Sequence, residues 1–153
     1  FGCPFEGAVD PETVLNIAEE MAGEGPLEIA LADTIGVGVP AQVTDLFGRL
    51  REILPAEISM RAHFHDTRNT GIANAWAAVQ AGVETLDSSL GGLGGCPFAP
   101  NATGNIATED LVNLLNRSGI DHDLDLRKAI ATNHWFENIL GRRLPSLVAR
   151  ADA

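Results

Sequence analysis

The sequence predicts an α/β fold on a parallel sheet, with the architecture of part of a (β/α)8 barrel. Three observations carry this. Strand-like runs alternate with helical periodicity. The strand ends fall at Asp33, His65 and Ser89, 32 and 24 residues apart, which is the spacing of repeated βα units. Polar side chains gather just past those ends, where parallel α/β folds build their sites. No Rossmann-type glycine fingerprint follows any of the strands, and a small open doubly wound sheet is the alternative architecture. A complete barrel needs about 250 residues, and the chain has 153. Residue 1 is Phe rather than Met, so the expectation is a piece of a longer protein, which favours the partial barrel.

Each element has a local reason. Asp10-Pro11-Glu12 opens an amphipathic helix through Val14, Leu15, Ile17, Ala18 and Met21, and Gly23 and Gly25 stop it. The first strand runs through Leu27-Glu28-Ile29-Ala30-Leu31-Ala32 and ends at Asp33. Pro40 suits the first turn of a helix carrying Val43, Leu46, Phe47, Leu50 and Leu54. Ile58-Ser59-Met60-Arg61-Ala62 forms a second strand leading into His63-Phe64-His65. A helix from about Gly71 to Ala81 aligns Ile72, Ala75, Trp76 and Val79. Val83-Glu84-Thr85-Leu86-Asp87 is the third strand. Glu109-Asp110 gives an acidic first turn to a helix starting near Thr108. The tail from Asp121 reads as further helices through Ile130, then Trp135, Phe136, Ile139 and Leu140. Trp76 and Trp135 lie on helical stripes and are expected in the core.

Composition narrows the function classes. Asp and Glu number 21 against 10 Lys and Arg, a net charge of -11. Such a surface repels phosphate backbones and anionic membranes, so neither nucleic acid nor membrane is an expected partner. No apolar run approaches the roughly 20 residues of a membrane span. Cys3 and Cys96 make a poor disulfide framework for so apolar a chain, and a reducing, cytoplasmic compartment is expected.

The sharpest candidate is His63-Phe64-His65. Strand side chains alternate faces, so the two imidazoles point the same way and Phe64 points opposite. Two imidazoles two residues apart can chelate a divalent ion. The alternative is a pair of strand-end histidines hydrogen-bonded to neighbours. Asp66 reads as a turn carboxylate rather than a ligand. Asp33, before Thr34-Ile35-Gly36-Val37-Gly38, is a base, a ligand or an orienting group, or else closes the strand with an Asx turn, the reading that context-free chemistry favours. Four glycines within residues 91–95 precede Cys96, whose thiol suits a lid over a site or is incidental to a surface loop. Asn105, just before a helix, offers a carboxamide oxygen to Mg2+ or Mn2+, or only a helix-start hydrogen bond. His122 and His134 have no ligand-spaced partner. Arg142-Arg143 reads as a solvated helix end ahead of an anion site.

Taken together, Gly2-Cys3-Pro4-Phe5-Glu6-Gly7, Asp33-Thr34-Ile35-Gly36-Val37-Gly38, His63-Phe64-His65-Asp66-Thr67, Leu93-Gly94-Gly95-Cys96-Pro97-Phe98-Ala99 and Gly104-Asn105-Ile106-Ala107-Thr108-Glu109-Asp110 resemble, in this order, the 3-hydroxy-3-methylglutaryl-CoA lyase family of TIM-barrel metal-dependent lyases. The likeness runs to about Ile120. It implies that the whole chain, 1–153, is the C-terminal half of one barrel domain, roughly strands 5/6 to 8 with their helices. It implies a divalent cation, Mg2+ or Mn2+, on His63, His65 and Asn105, with Cys96 and Asp33 catalytic. Glu109 falls in the same motif without an assigned role.

The implied reaction is cleavage of 3-hydroxy-3-methylglutaryl-CoA or a related 3-hydroxyacyl-CoA to acetyl-CoA and a keto acid. A Claisen-type synthase or aldolase of the same barrel group is the alternative, as is a non-catalytic remnant. Phe98 stands where the family has Tyr, and Arg68-Asn69-Thr70 where it has a Tyr-Gly-Gln-type stretch, which leaves the acyl group open. The family's first strand, with its Asp ligand and adjacent Arg, has no counterpart here. The expectation is therefore little activity from this chain alone, and a homo-oligomer or pairing with the missing N-terminal half.

Overall fold

A computed structural model describes residues 1–95 and 104–152. Among these, three parallel strands form one sheet in the order β3-β4-β5, and a small antiparallel hairpin precedes it. The hairpin pairs β1 (Gly2–Cys3) with β2 (Gly7–Ala8). Helix α1 (Pro11–Ala22) follows, its N-terminus capped by the Asp10 carboxylate accepting from Glu12 N, as the Asp-Pro-Glu start requires. Then come β3 (Glu28–Asp33), α2 (Pro40–Ile53), β4 (Ser59–Phe64), α3 (Gly71–Gln80) and β5 (Thr85–Asp87). A short 3-10 turn (Leu90–Gly92) leads away from the sheet, and α4 (Thr108–Arg117), α5 (Leu126–Leu140) and α6 (Leu147–Ala151) complete the described chain.

The core lies on one face of the sheet only. Ile29 and Leu31 of β3 and Met60, Ala62 and Phe64 of β4 are buried together with Leu15 and Ala18 of α1, Val43, Leu46, Phe47 and Leu50 of α2, and Ala75 and Ala78 of α3. The alternate residues Ala30 and Ala32 are exposed, and Ser59, Arg61 and His63 are half-buried. A doubly wound sheet carries helices on both faces, whereas a barrel strand buries one face under helices and turns the other inward. The one-sided cover is that of a barrel segment. No helix among the described residues is long and apolar enough to cross a membrane.

The tail corrects one expectation. Trp135 is 57% exposed, with Ile139 and Leu140 exposed beside it, while Trp76 is half-buried. In α5 the residues turned to the protein are Ile130, Asn133, His134 and Glu137, a stripe at i, i+3, i+4 and i+7. Trp135 sits about 100° round the helix from that stripe. Polar residues hold the inner side here. Glu137 accepts from Leu144 N at 2.7 Å, and Asp110 of α4 accepts from Ser146 Oγ and Val148 N, each at 2.8 Å, to seat α6.

Candidate functional site

The helix-free face of β4 carries Arg61 and His63, and His65 follows just past the strand end. Strand parity puts the two imidazoles together: their ring centroids are 5.2 Å apart, edge to face. They are not equivalent. His63 is about one-third exposed, whereas His65 is 4% exposed, and its Nδ1 is buried with no hydrogen-bond partner.

Asn105 reaches this pair through a backbone wedge. Ile106 N donates to Phe64 O at 3.3 Å, Asp66 N to Gly104 O at 3.1 Å, Ser89 N to Ile106 O at 3.0 Å and Thr108 N to Ser89 O at 2.9 Å. Residues 104–108 therefore insert between the ends of β4 and β5, and Asn105 becomes the bridge partner of His65. Asn105 Nδ2 donates to Leu93 O at 2.9 Å, which aims the amide nitrogen away and leaves Oδ1 as the available end. Gly94 has φ 100°, and a Cβ there would stand 2.8 Å from Asn105 Nδ2, so this close approach requires glycine. Glu109, fully buried at the start of α4, accepts from Gly91 N with both oxygens (3.0 and 2.9 Å) and pins the beginning of the glycine run.

Asp33 ends β3. By parity it shares the core side with Ile29 and Leu31, and it is fully buried. Its Oδ1 accepts from Val37 N at 3.0 Å and its Oδ2 from Gly38 N at 2.8 Å. Both oxygens thus help close the loop after β3, through amides four and five residues on rather than the two of an Asx turn. Arg68 closes the same loop from outside, donating to Ile35 O at 2.7 Å and Gly36 O at 3.1 Å. Asp66 is likewise a turn carboxylate, accepting from Gly71 N at the start of α3. Burial, with Asp110's charge adding, pushes its carboxyl above the ordinary range. Cys96 lies outside the described residues.

Sequence reasoning missed a charged row on the same open face. Arg61 Nε donates to Glu28 Oε1 at 2.6 Å and an Arg61 terminal nitrogen to Asp87 Oδ1 at 2.7 Å, spanning all three strands. Asp87 Oδ2 lies 3.3 Å from His63 Nδ1. Hydrogen bonds from Thr85 and the Arg61 guanidinium hold Glu28 below the usual carboxylate range. The available signal was an arginine inside an otherwise apolar run at 58–62. Its partners depend on strand register, His63 opposite Asp87 and Ala30 opposite Arg61.

The donors present fit a cation. Among the described residues no three His, Cys, Asp or Glu side chains form a metal site by themselves, so the imidazole pair needs the Asn105 carboxamide. The orphaned buried Nδ1 of His65 is the observation in favour, because a buried imidazole nitrogen without a partner is otherwise costly. Burial first, and the neighbouring His63 charge second, lower the His65 value against an opposing pull from Asp33, so the ring stays neutral, the state that donates to metals.

The sign for stability follows. The folded value lies below the ordinary 6.5, so in acid the unfolded chain binds the extra proton. This contribution is complete above pH 6.5 and is lost as pH falls below it. Urea midpoints at pH 7.5 and pH 5.5 should differ in that direction, and His65→Ala should shrink the difference.

The chain is similar to known proteins. The model of the HMGL-like family matches residues 1–135. The chain belongs to the HMGL-like family. It is 51% identical to the (R)-citramalyl-CoA lyase of Chloroflexus aurantiacus over 99% of the chain and 47% of that protein. It is 43% identical to the hydroxymethylglutaryl-CoA lyase YngG of Bacillus subtilis over 95% of the chain and 48% of that protein. The structure superimposes on an HMG-CoA lyase from Acinetobacter baumannii, solved with coenzyme A and 3-methylmalate, at TM-score 0.91 and 41% identity, covering 99% of this chain and 49% of that one. The chain thus spans about half the length of the curated relatives it matches. The α/β fold is that of this family's barrel structures, and these relatives are lyases acting on acyl-CoA. The narrower expectation of a C-terminal half goes beyond what these matches support.

Proposed function

We propose that the protein containing this chain is a metal-dependent carbon–carbon lyase that splits a 3-hydroxyacyl-CoA into acetyl-CoA and a keto acid, with Mg2+ or Mn2+ held by His63, His65 and Asn105. What supports this is the edge-to-face imidazole pair and the backbone bridge of His65 to Asn105, in a chain about half identical to a citramalyl-CoA lyase. A bound divalent cation supplies Lewis-acid polarisation of the substrate's hydroxyl and carboxylate oxygens.

In the cleavage, the bond between the carbon next to the thioester and the hydroxyl-bearing carbon breaks. Its electron pair enters the thioester as an enolate, the hydroxyl proton leaves to a base, and the enolate carbon takes up a proton. No co-reactant is consumed. The chain's own residues bind and orient. His65 would donate to the cation from a buried position and Asn105 would offer its carbonyl oxygen, while the glycine run pinned by Glu109 sets where Asn105 sits. Asp33 holds the loop that abuts the His65 backbone. Cys96 is the proposed proton donor or closing group.

The open face and the edge of β3, unpaired among the described residues, support completion by further strands, from another part of the protein or a second copy. The 153-residue chain alone gives no turnover on this reading. A cytoplasmic setting belongs to the same proposal.

The test is an acetyl-CoA release assay of the complete protein on (R)-citramalyl-CoA and 3-hydroxy-3-methylglutaryl-CoA. Activity is expected on at least one, lost on chelation and restored by Mn2+. Turnover undiminished by chelation overturns the metal reading, and condensation without cleavage moves the protein to the synthases.

A further inference from the structure

We propose that Asp87, anchored by Arg61, fixes the ring orientation and tautomer of His63 so that Nδ1 carries the proton and Nε2 is presented as the donor. This deepens the metal reading above and rests on it for its consequence, though not for its geometry.

The argument starts from register. β4 and β5 are parallel, and His63 pairs with Asp87 across them on the helix-free face. The two residues are therefore neighbours on one face of the sheet. Asp87 divides its oxygens: Oδ1 accepts from Arg61 at 2.7 Å, and Oδ2 stands 3.3 Å from His63 Nδ1. Arg61 is itself held on its other side by Glu28 at 2.6 Å. A lone aspartate on a half-open face would swing between rotamers and offer His63 nothing fixed. An aspartate whose first oxygen is taken by a guanidinium, in turn braced on the neighbouring strand, has its second oxygen held beside the ring.

An imidazole whose Nδ1–H faces a carboxylate keeps its lone pair on Nε2, and a carboxylate behind a ligating histidine raises its basicity. His65 forms no ion pair with a carboxylate among the described residues. The pair is thus asymmetric, with one imidazole oriented by charge and the other by burial.

A simple structural ion pair between Arg61 and Asp87 would leave the ring of His63 indifferent to residue 87. The experiment separates the two in the complete protein. The 15N resonances of His63 report its tautomer in the metal-free protein, and Mn2+ titration followed by electron paramagnetic resonance reports affinity. The wild type should show a single Nδ1–H tautomer. Asp87→Ala should give a tautomer mixture and weaken Mn2+ binding about 10- to 100-fold. Asp87→Asn, which keeps an acceptor oxygen, should retain the tautomer and lose less affinity, and it serves if the alanine variant fails to fold. Arg61→Met should move both readouts in the same direction as Asp87→Ala, by less.

An unchanged tautomer and affinity in Asp87→Ala, while His63→Ala abolishes Mn2+ binding, overturns the inference and leaves the metal reading standing. A wild type that takes up no Mn2+ overturns the metal reading, and the tautomer comparison then decides the role of Asp87 alone.

Discussion

Replacing His65 with alanine is expected to lower kcat of the complete protein on its acyl-CoA substrate by about 1,000-fold or more, while shifting metal-free stability by only about 1 kcal/mol. The two halves of this expectation come from one atom. His65 Nδ1 is buried without a partner, so the ring contributes to the fold its packing and little else. Deleting it opens a small cavity, which destabilises, and removes an unsatisfied polar nitrogen, which stabilises. The terms oppose and nearly cancel. Catalysis has no such compensation, because the donor is lost outright. Steady-state kinetics alongside thermal melts in chelator check it. A variant that is badly unfolded, or one that keeps its rate, contradicts the expectation.

The second large effect concerns Asp33 and runs the other way, into the fold. Asp33→Ala removes a buried carboxylate that accepts from Val37 N and Gly38 N. Hydrogen bonds to charged groups contribute about 1.5–3 kcal/mol each, and the two amides are left without their acceptor, so a loss of about 3–5 kcal/mol is expected. That is a large share of a typical domain's 5–15 kcal/mol or so. Asp33→Asn keeps one acceptor and should lose roughly half as much. Its folded molecules should retain kcat within about tenfold. Urea denaturation measures the first quantity and kinetics the second. A loss on the order of 1,000-fold in kcat with unaltered stability would return Asp33 to the chemistry.

Much of this was legible in the residues, for reasons that also explain what was not. The helices from Pro11, Pro40 and Gly71 follow from prolines, caps and apolar spacing, all local signals, and the strands through Ile29, Met60 and Leu86 follow from apolar runs bounded by turns. The pairing of His63 with His65 needed only strand parity. Asp33 stayed open between a turn and a catalytic role, because which amides its oxygens meet depends on how residues 34–38 fold back. The charge row Glu28–Arg61–Asp87 was out of reach, since its members come from three strands whose register no single segment encodes. Trp135 failed for a different reason: α5 turns Asn133 and Glu137 inward, so hydrophobicity pointed to the wrong side of the helix.

Gly104 N donates to Gly94 O at 2.8 Å, so the chain returns to within one hydrogen bond of where it departed. That clasp ties residue 94 to the immediate neighbour of Asn105, and a side chain added at Gly94 would stand 2.8 Å from Asn105 Nδ2, so the carboxamide would be the first group to feel any change there.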